Sequence, residues 1–358
     1  MLRVGIVGCG KIADSHATQI RRIPGAKIVG ACDHEPLMVE QFCDRFGVEG
    51  RAADFESLVS LGLDVVHITT PAASHAPLAR LALESGVAAY VEKPLTLTAS
   101  EAEELVALSV AQDVPLTVGH DDQFTHASRR VRDRISRGVI GPSVEYMECY
   151  YCYDFAGSYG RSIVKDPNHW VRRLPGMLFQ NILSHGIARI AEYLNDDIVH
   201  ASGDVFRSRE LEALGENQIF DELRFLVRDS RGCSAVLVVG SGFQPTINQF
   251  RVFGSKGALA MDHDKEWVIR LRGKKLPSYA DKFIPSTELA IQFANNLVYN
   301  AKAFLRSDFH MKNGMKSLIE GFYAHIEDRS VPAPIPHQEI TRGARLMDEV
   351  VKLVRKNL

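Results

Sequence analysis

Residues 5–13 read GIVGCGKIA, and the order of residue types in this stretch decides how the chain begins. Ile6 and Val7 close a short apolar run, glycines follow at 8 and 10, and Ala13 completes the pattern. The first glycine permits a tight turn. The second lets a backbone approach a pyrophosphate, and a small third residue lets helix pack closely on strand. A helix opening at Lys11 and Ile12 would offer unpaired N–H groups and a partial positive charge to the phosphates. Such a string counts only in context: a strand before it, a helix after it, and an acid some distance on. Asp33, which ends AKIVGACD, is that acid. A carboxylate there accepts hydrogen bonds from both ribose hydroxyls of NAD and repels a 2′-phosphate. His34 follows it, not an arginine, so NAD is expected over NADP.

Working outward, the first third alternates apolar runs with helical patterns. LRVGIVG, AKIVGACD, LDVVHITT, GVAAYVE and VPLTVG have the character of strands buried on both faces. ADSHATQIRRI, PLMVEQFCDRFG, SHAPLARLALESG and TASEAEELVALSVAQD lie between them with helical spacing. Strands and helices in alternation predict a parallel sheet covered on both sides, here over residues 1–122. From Gln123 the rhythm changes. Ala127, Val131 and Ile135 mark one side of an amphipathic helix, and longer strand candidates follow with few helices between them. DSRG reads as a turn joining two of these strands. The expected architecture is α/β: an N-terminal Rossmann dinucleotide-binding domain, then an α+β domain over 123–358 with an open, mostly antiparallel sheet. The C-terminal helices are free to pack back on the first domain.

Bulk properties exclude several partners. The net charge of −2 over 358 residues gives no electrostatic reason to expect nucleic acid or an anionic membrane. No stretch is long and apolar enough to span a bilayer, and no leader with a cleavage site precedes the first strand. Six cysteines in a chain this long do not suggest a disulfide framework. Cys149 and Cys152 form a CxxC within a strand, where residues three apart face opposite ways, so both are expected to be packing residues. A cytoplasmic protein fits these features. His120, Asp121 and Asp122 have the chemistry of metal ligands, but no second cluster has ligand spacing, and no metal is expected.

Several further motifs give the chain a resemblance. TTPAASH at 69–75, EKP at 92–94, a glycine–helix–histidine segment at 176–185 and RVFGSKGAL at 251–259 accompany the glycine loop. Together they resemble the Gfo/Idh/MocA family of nicotinamide-dependent oxidoreductases over nearly the whole chain. The resemblance implies that Thr70, Pro71, His75 and Glu92 line the cofactor site with Gly8, Gly10, Lys11, Ile12 and Asp33. It places Lys93, at the carboxyl end of its strand, beside the nicotinamide and the reacting carbon. Pro94 restrains it to extended conformations.

MLFQNILSHGIARIAEYL carries Leu183, Ile187, Ile190 and Leu194 on one helical face, with Asn181 and His185 opposite. In the family an acid and a histidine at this spacing face the substrate. His185 matches the histidine; Asn181 stands where many members have aspartate. An asparagine can orient a hydroxyl but cannot take a proton, so proton transfer shifts toward Lys93 and His185. Gln123 stands where the family often has arginine. Tyr153, Trp170, Arg172 and Arg173 are candidates for the substrate side, along with Gln123.

The expected activity is hydride transfer between NAD and a secondary alcohol of a sugar, polyol or nucleotide-linked sugar, in a homodimer or homotetramer. Two alternatives stay open. One is a redox-neutral hydrolase or lyase that uses NAD transiently. The other is a non-catalytic NAD(H)-binding sensor.

Overall fold

The computed structural model describes every residue except 156, 196, 310 and 311, together with the side chains at all but these and 158 and 159. It forms two compact units, Met1–Asp121 with Gly314–Arg345, and Asp122–Asn313 with Leu346–Leu358. Among the described residues no helix is long and apolar enough to cross a membrane.

The first unit holds β1 (Leu2–Val7), β2 (Ala26–Cys32), β3 (Gly50–Ala52), β4 (Val65–Ile68), β5 (Ala88–Val91) and β6 (Leu116–Val118). They pair in the order β3-β2-β1-β4-β5-β6, and every pair is parallel. β4, β5 and β6 are buried along their whole length, as expected of a sheet covered on both faces. This is the doubly wound order, and its direction reverses between β1 and β4, where such sheets bind ligands. The helices start and stop where local chemistry dictates. Thr98 and Glu101 form a reciprocal capping box before helix Ala99–Gln112. Gly47, in the left-handed conformation, ends helix Pro36–Phe46. β3 was not among the expected strands, because three residues, GRA, show no alternation to read.

The second unit holds β7 (Tyr146–Cys152), β8 (Ile198–Phe206), β9 (Glu222–Asp229), β10 (Ser234–Gly240), β11 (Asn248–Gly254), β12 (Gly257–Asp262) and β13 (Trp267–Arg272). Their order is β13-β12-β11-β7-β10-β9-β8, antiparallel except for the β7–β10 pair. β13 is a second strand that sequence reading did not anticipate. Alternate residues of β7, β9 and β10 are buried, so one face makes the core. The expected helix 177–194 is two, Met177–Ile182 and Ser184–Ala191, meeting at Leu183. Leu183, Ile187, Ile190 and Leu194 nevertheless all enter the core, packed with Cys149, Phe225, Leu237 and Phe250. Burying each contributes about 1.5–3 kcal/mol.

All six cysteines are free and buried. Burial pushes the Cys149 and Cys152 thiols up to about 11, so they pack as thiols. The arginines of helix His126–Ser136 do not simply face solvent. Arg132 donates to Glu192 and lies over Phe124, while Arg130 donates to Asn296 and lies over Tyr299.

Candidate active site

The first unit builds its site at the carboxyl ends of β1, β2, β4 and β5. Gly8 leaves β1 with φ near +90°, and a Cβ there would lie 2.8 Å from the Thr70 nitrogen, so only glycine fits. Gly10 is different. It precedes helix Lys11–Ile20, and a Cβ there would meet nothing within 4 Å. The space in front of the helix N-terminus is therefore left open by the protein itself. Ala13 is fully buried, as close helix–strand packing requires. Asp33 follows β2, and its carboxylate accepts from the Cys9 N–H at 2.7 Å and the Glu35 N–H at 3.0 Å. These features fit NAD: an anion-receptive helix end with room before it, a turn that only glycine can make, and a carboxylate for a diol.

The loop after β4 is pinned to the loop after β5. His75 places Nε2 2.8 Å from the Thr70 carbonyl and Nδ1 2.7 Å from the Pro94 carbonyl. Burial lowers its pKa, with the two carbonyls working against that shift. His75 thus holds Thr70 and Pro94 in register from inside the protein. Lys93 is half-buried just beyond β5, and its peptide to Pro94 is cis.

Behind Lys93 runs a buried polar chain that sequence reading missed. The Lys93 N–H donates to Glu92 Oε2 at 3.1 Å, and Glu92 Oε1 lies 2.8 Å from His16 Nε2. His16 Nδ1 and His67 Nδ1 are 2.8 Å apart, and His67 Nε2 is 2.8 Å from the Tyr323 hydroxyl. His67 also stacks on Tyr90, with ring centroids 4.6 Å apart. Burial works to raise the Glu92 pKa, but His16 and Lys93 outweigh it and bring the carboxyl down to about 2. Burial takes His67 well below the usual imidazole range, with His16 adding to the effect. His16 is fully buried in helix Lys11–Ile20. The signal that could have found it is its spacing: Ala13, His16, Ala17 and Ile20 are all buried, on one helical stripe.

In the second unit His185 is half-buried on helix Ser184–Ala191. Its Nδ1 lies 3.7 Å from Asp122 Oδ2. The same carboxylate meets Arg189 NH2 at 3.2 Å and His263 Nε2 at 3.4 Å. Arg189, one turn beyond His185, is almost fully buried and also donates to Asn248 Oδ1 at 2.6 Å. Burial alone would raise the Asp122 carboxyl. His185, His263, Arg189 and Lys312 hold it well below the carboxylate range instead. Burial, helped by Arg189, brings His263 down to about 4, so that imidazole is neutral near pH 7.

The remaining candidates are scattered. Gln123 is buried, donating from Nε2 to the Ala188 carbonyl and to Glu192, so it braces the His185 helix from behind. Arg172 is committed to a buried ion pair with Glu216 and to the Ile163 carbonyl. The Tyr153 hydroxyl donates to the Asp221 carbonyl at 3.3 Å. Trp170 is 41% exposed, its ring stacked on His169. Asn181 is half-buried on helix Met177–Ile182.

Comparison with known proteins agrees with this reading of the first unit. Residues 2–120 match the family described as "Oxidoreductase family, NAD-binding Rossmann fold". Over 320 residues the chain is 25% identical to a scyllo-inositol 2-dehydrogenase (NAD(+)) of Bacillus subtilis, covering 86% of this chain and 89% of that protein. A D-apiose dehydrogenase of Paraburkholderia graminis is 35% identical over 137 residues, 38% of this chain and 36% of that one. Among solved structures, a scyllo-inositol dehydrogenase from Lactobacillus casei superposes with a TM-score of 0.74 at 20% identity, covering 100% of this chain and 97% of that one. This likeness shows the fold. With the glycine loop, the open helix end and the Glu92-Lys93-Pro94 strand end in place, residues 2–120 match the NAD-binding Rossmann domain of the Gfo/Idh/MocA oxidoreductases.

Proposed function

We propose that the protein is an NAD-dependent dehydrogenase acting on a secondary alcohol of a polyol, sugar or nucleotide-linked sugar. The observation that carries this reading is the row of strand ends in the first unit. There a glycine turn, an open helix N-terminus and Asp33 suit a dinucleotide, and Lys93 leaves β5 of the same sheet, separated from β1 by β4. Its likeness to an inositol dehydrogenase over most of both chains supports the substrate class.

NAD, when bound, supplies the hydride acceptor. In oxidation the carbinol carbon gives up hydride, the hydroxyl gives up a proton, and a carbonyl forms. Lys93 and His185 manage that proton, and Asn181 orients the hydroxyl. Glu92 fixes the Lys93 backbone from its buried side. On this reading the first unit holds the cofactor through Gly8, Gly10, Lys11, Ile12, Asp33, Thr70 and Pro71, with His75 pinning the loop. The second unit recognises substrate and assembles copies of the chain. Helix Ala280–Leu305 exposes Phe283, Ile291, Leu297, Phe304 and Leu305, an apolar row that suits a homodimer or homotetramer. Six unpaired, buried cysteines suit a cytoplasmic setting.

The test is nicotinamide absorbance with purified protein, NAD and a panel of inositols, other polyols, sugars and nucleotide sugars. NADH formed in step with a carbonyl product supports the proposal. Cleavage of a sugar without NADH would replace it with the redox-neutral reading, and bound NAD with no chemistry on any compound with the sensor.

A further inference from the structure

The replacement of the family's aspartate by Asn181 leaves His185 without an acid on its own helical face, and the second unit supplies one from elsewhere. Asp122 lies 3.7 Å from His185 Nδ1. We infer that Asp122 is the positioning residue for His185, holding the proton on Nδ1 and leaving the Nε2 lone pair for the substrate hydroxyl. This rests on the proposed dehydrogenase reading for its purpose but not for its geometry.

Three observations carry it. Asp122 is kept ionised by its surroundings, because the Arg189 guanidinium lies 3.2 Å from the carboxylate. The groups facing the pair come from every neighbouring element. They are Asp121, whose carboxylate lies within 4.8 Å of both, Arg189 on the same helix, Tyr151 of β7, His263 after β12, and Lys312. Asp262 and Asp264 lie around His263 and Asn248. Asp122 meets His185 from the Nδ1 side, at 3.7 Å. Finally, the arrangement is braced. Gln123, next in sequence, donates to the backbone of Ala188 on the His185 helix, so the segment carrying Asp122 is tied to the helix carrying the imidazole.

The chemistry follows from the two ring nitrogens. A neutral imidazole donates from one and accepts at the other, and the partner of one sets the role of the other. A carboxylate beside Nδ1 selects the Nδ1–H form. When Nε2 takes the hydroxyl proton, the same charge stabilises the cation that results.

The test is the tautomer of His185 by nitrogen-15 NMR on the full chain with NAD, the resonance assigned by its absence in His185→Gln. The wild type should carry its proton on Nδ1. Asp122→Asn should lose that preference and lower kcat about 100-fold while KM stays within about threefold. Asp122→Glu should restore part of both. A wild-type His185 protonated on Nε2 overturns the inference without any variant having to fold. So does an Asp122→Asn enzyme with an unchanged tautomer or an unchanged kcat. If the Nδ1–H form is present but no substrate on the panel yields NADH, the pairing stands and the dehydrogenase reading alone fails.

Discussion

Lys93 and His185 are anchored in opposite ways. Lys93 sits at a strand end, its N–H on the Glu92 carboxylate, and behind it three contacts of 2.8 Å run through His16 and His67 to Tyr323. His185 rests on a carboxylate that it shares with Arg189 and His263, at 3.2 to 3.7 Å. The first arrangement is tight and buried. The second is looser, more exposed and collected from separate segments. A group that must keep one position suits the former; a group that takes up and releases a proton beside a charge suits the latter.

The largest expected effect tests the tight anchor at its tip. Lys93→Met should lower kcat by 10²- to 10⁴-fold, the range for a lost proton-transfer group. Cofactor affinity by titration calorimetry should change little. Wild-type turnover would remove Lys93 from the chemistry.

His16→Ala tests the anchor behind it. It takes the imidazole partner from buried Glu92 Oε1 and from a His67 nitrogen, at a cost of roughly 3–5 kcal/mol measured by denaturant unfolding. The pH dependence should change as well. Glu92 has a folded pKa of about 2, below its ordinary 4.5. Its contribution is therefore complete above pH 4.5 and lost as the pH falls toward 2, to the extent of about 3 kcal/mol. That part of the acid limb should flatten in the variant. An unaltered limb would mean that His16 does not hold Glu92.

Gly8→Ala should destabilise the first unit by about 1–3 kcal/mol, because the residue needs a positive φ and its Cβ would press on the Thr70 nitrogen. NAD affinity should fall with it. By contrast Gly10→Ala, whose Cβ meets no protein atom, should leave the unfolding midpoint of the ligand-free protein almost unmoved and weaken NAD. Equal loss of stability in both would contradict the assignment of Gly10 to ligand space.

The smallest effect concerns Asp33. Asp33→Asn removes the charge that orders the diol and should weaken NAD about 10-fold, the scale of a charged hydrogen bond. It should also narrow the margin against NADP. Unchanged affinity for both would take the carboxylate out of cofactor recognition.

The two anchors also differ in how readily they could be read from sequence. GIVGCGKIA, the acid at 33 and Glu92-Lys93-Pro94 lie within continuous segments whose geometry follows from strand, turn and helix, so the first unit was largely legible. The relay behind Lys93 was not, because it joins residues 16, 67, 92 and 323 through tertiary packing. For the same reason Asp122, Arg189 and His263 carried no signal as a group. Gln123 and Arg172 show the converse. Gln123, which stands where the family often has arginine, and Arg172, in an arginine-bearing loop, were candidates for the substrate side; one donates to the Ala188 carbonyl and the other pairs with Glu216. A polar side chain in isolation does not reveal whether its partner is a ligand or the protein. The missed strands β3 and β13 belong to the same class, one too short for a pattern and the other an edge strand carrying Arg270 and Arg272.

The central claim is hydride transfer from a carbinol carbon. It is tested most directly by giving the enzyme NAD and an active polyol deuterated at that carbon, then weighing the cofactor. The account predicts deuterium in the reduced nicotinamide with wild-type protein and none above background with Lys93→Met over the same interval. Turnover of the polyol with no deuterium reaching the cofactor would contradict it.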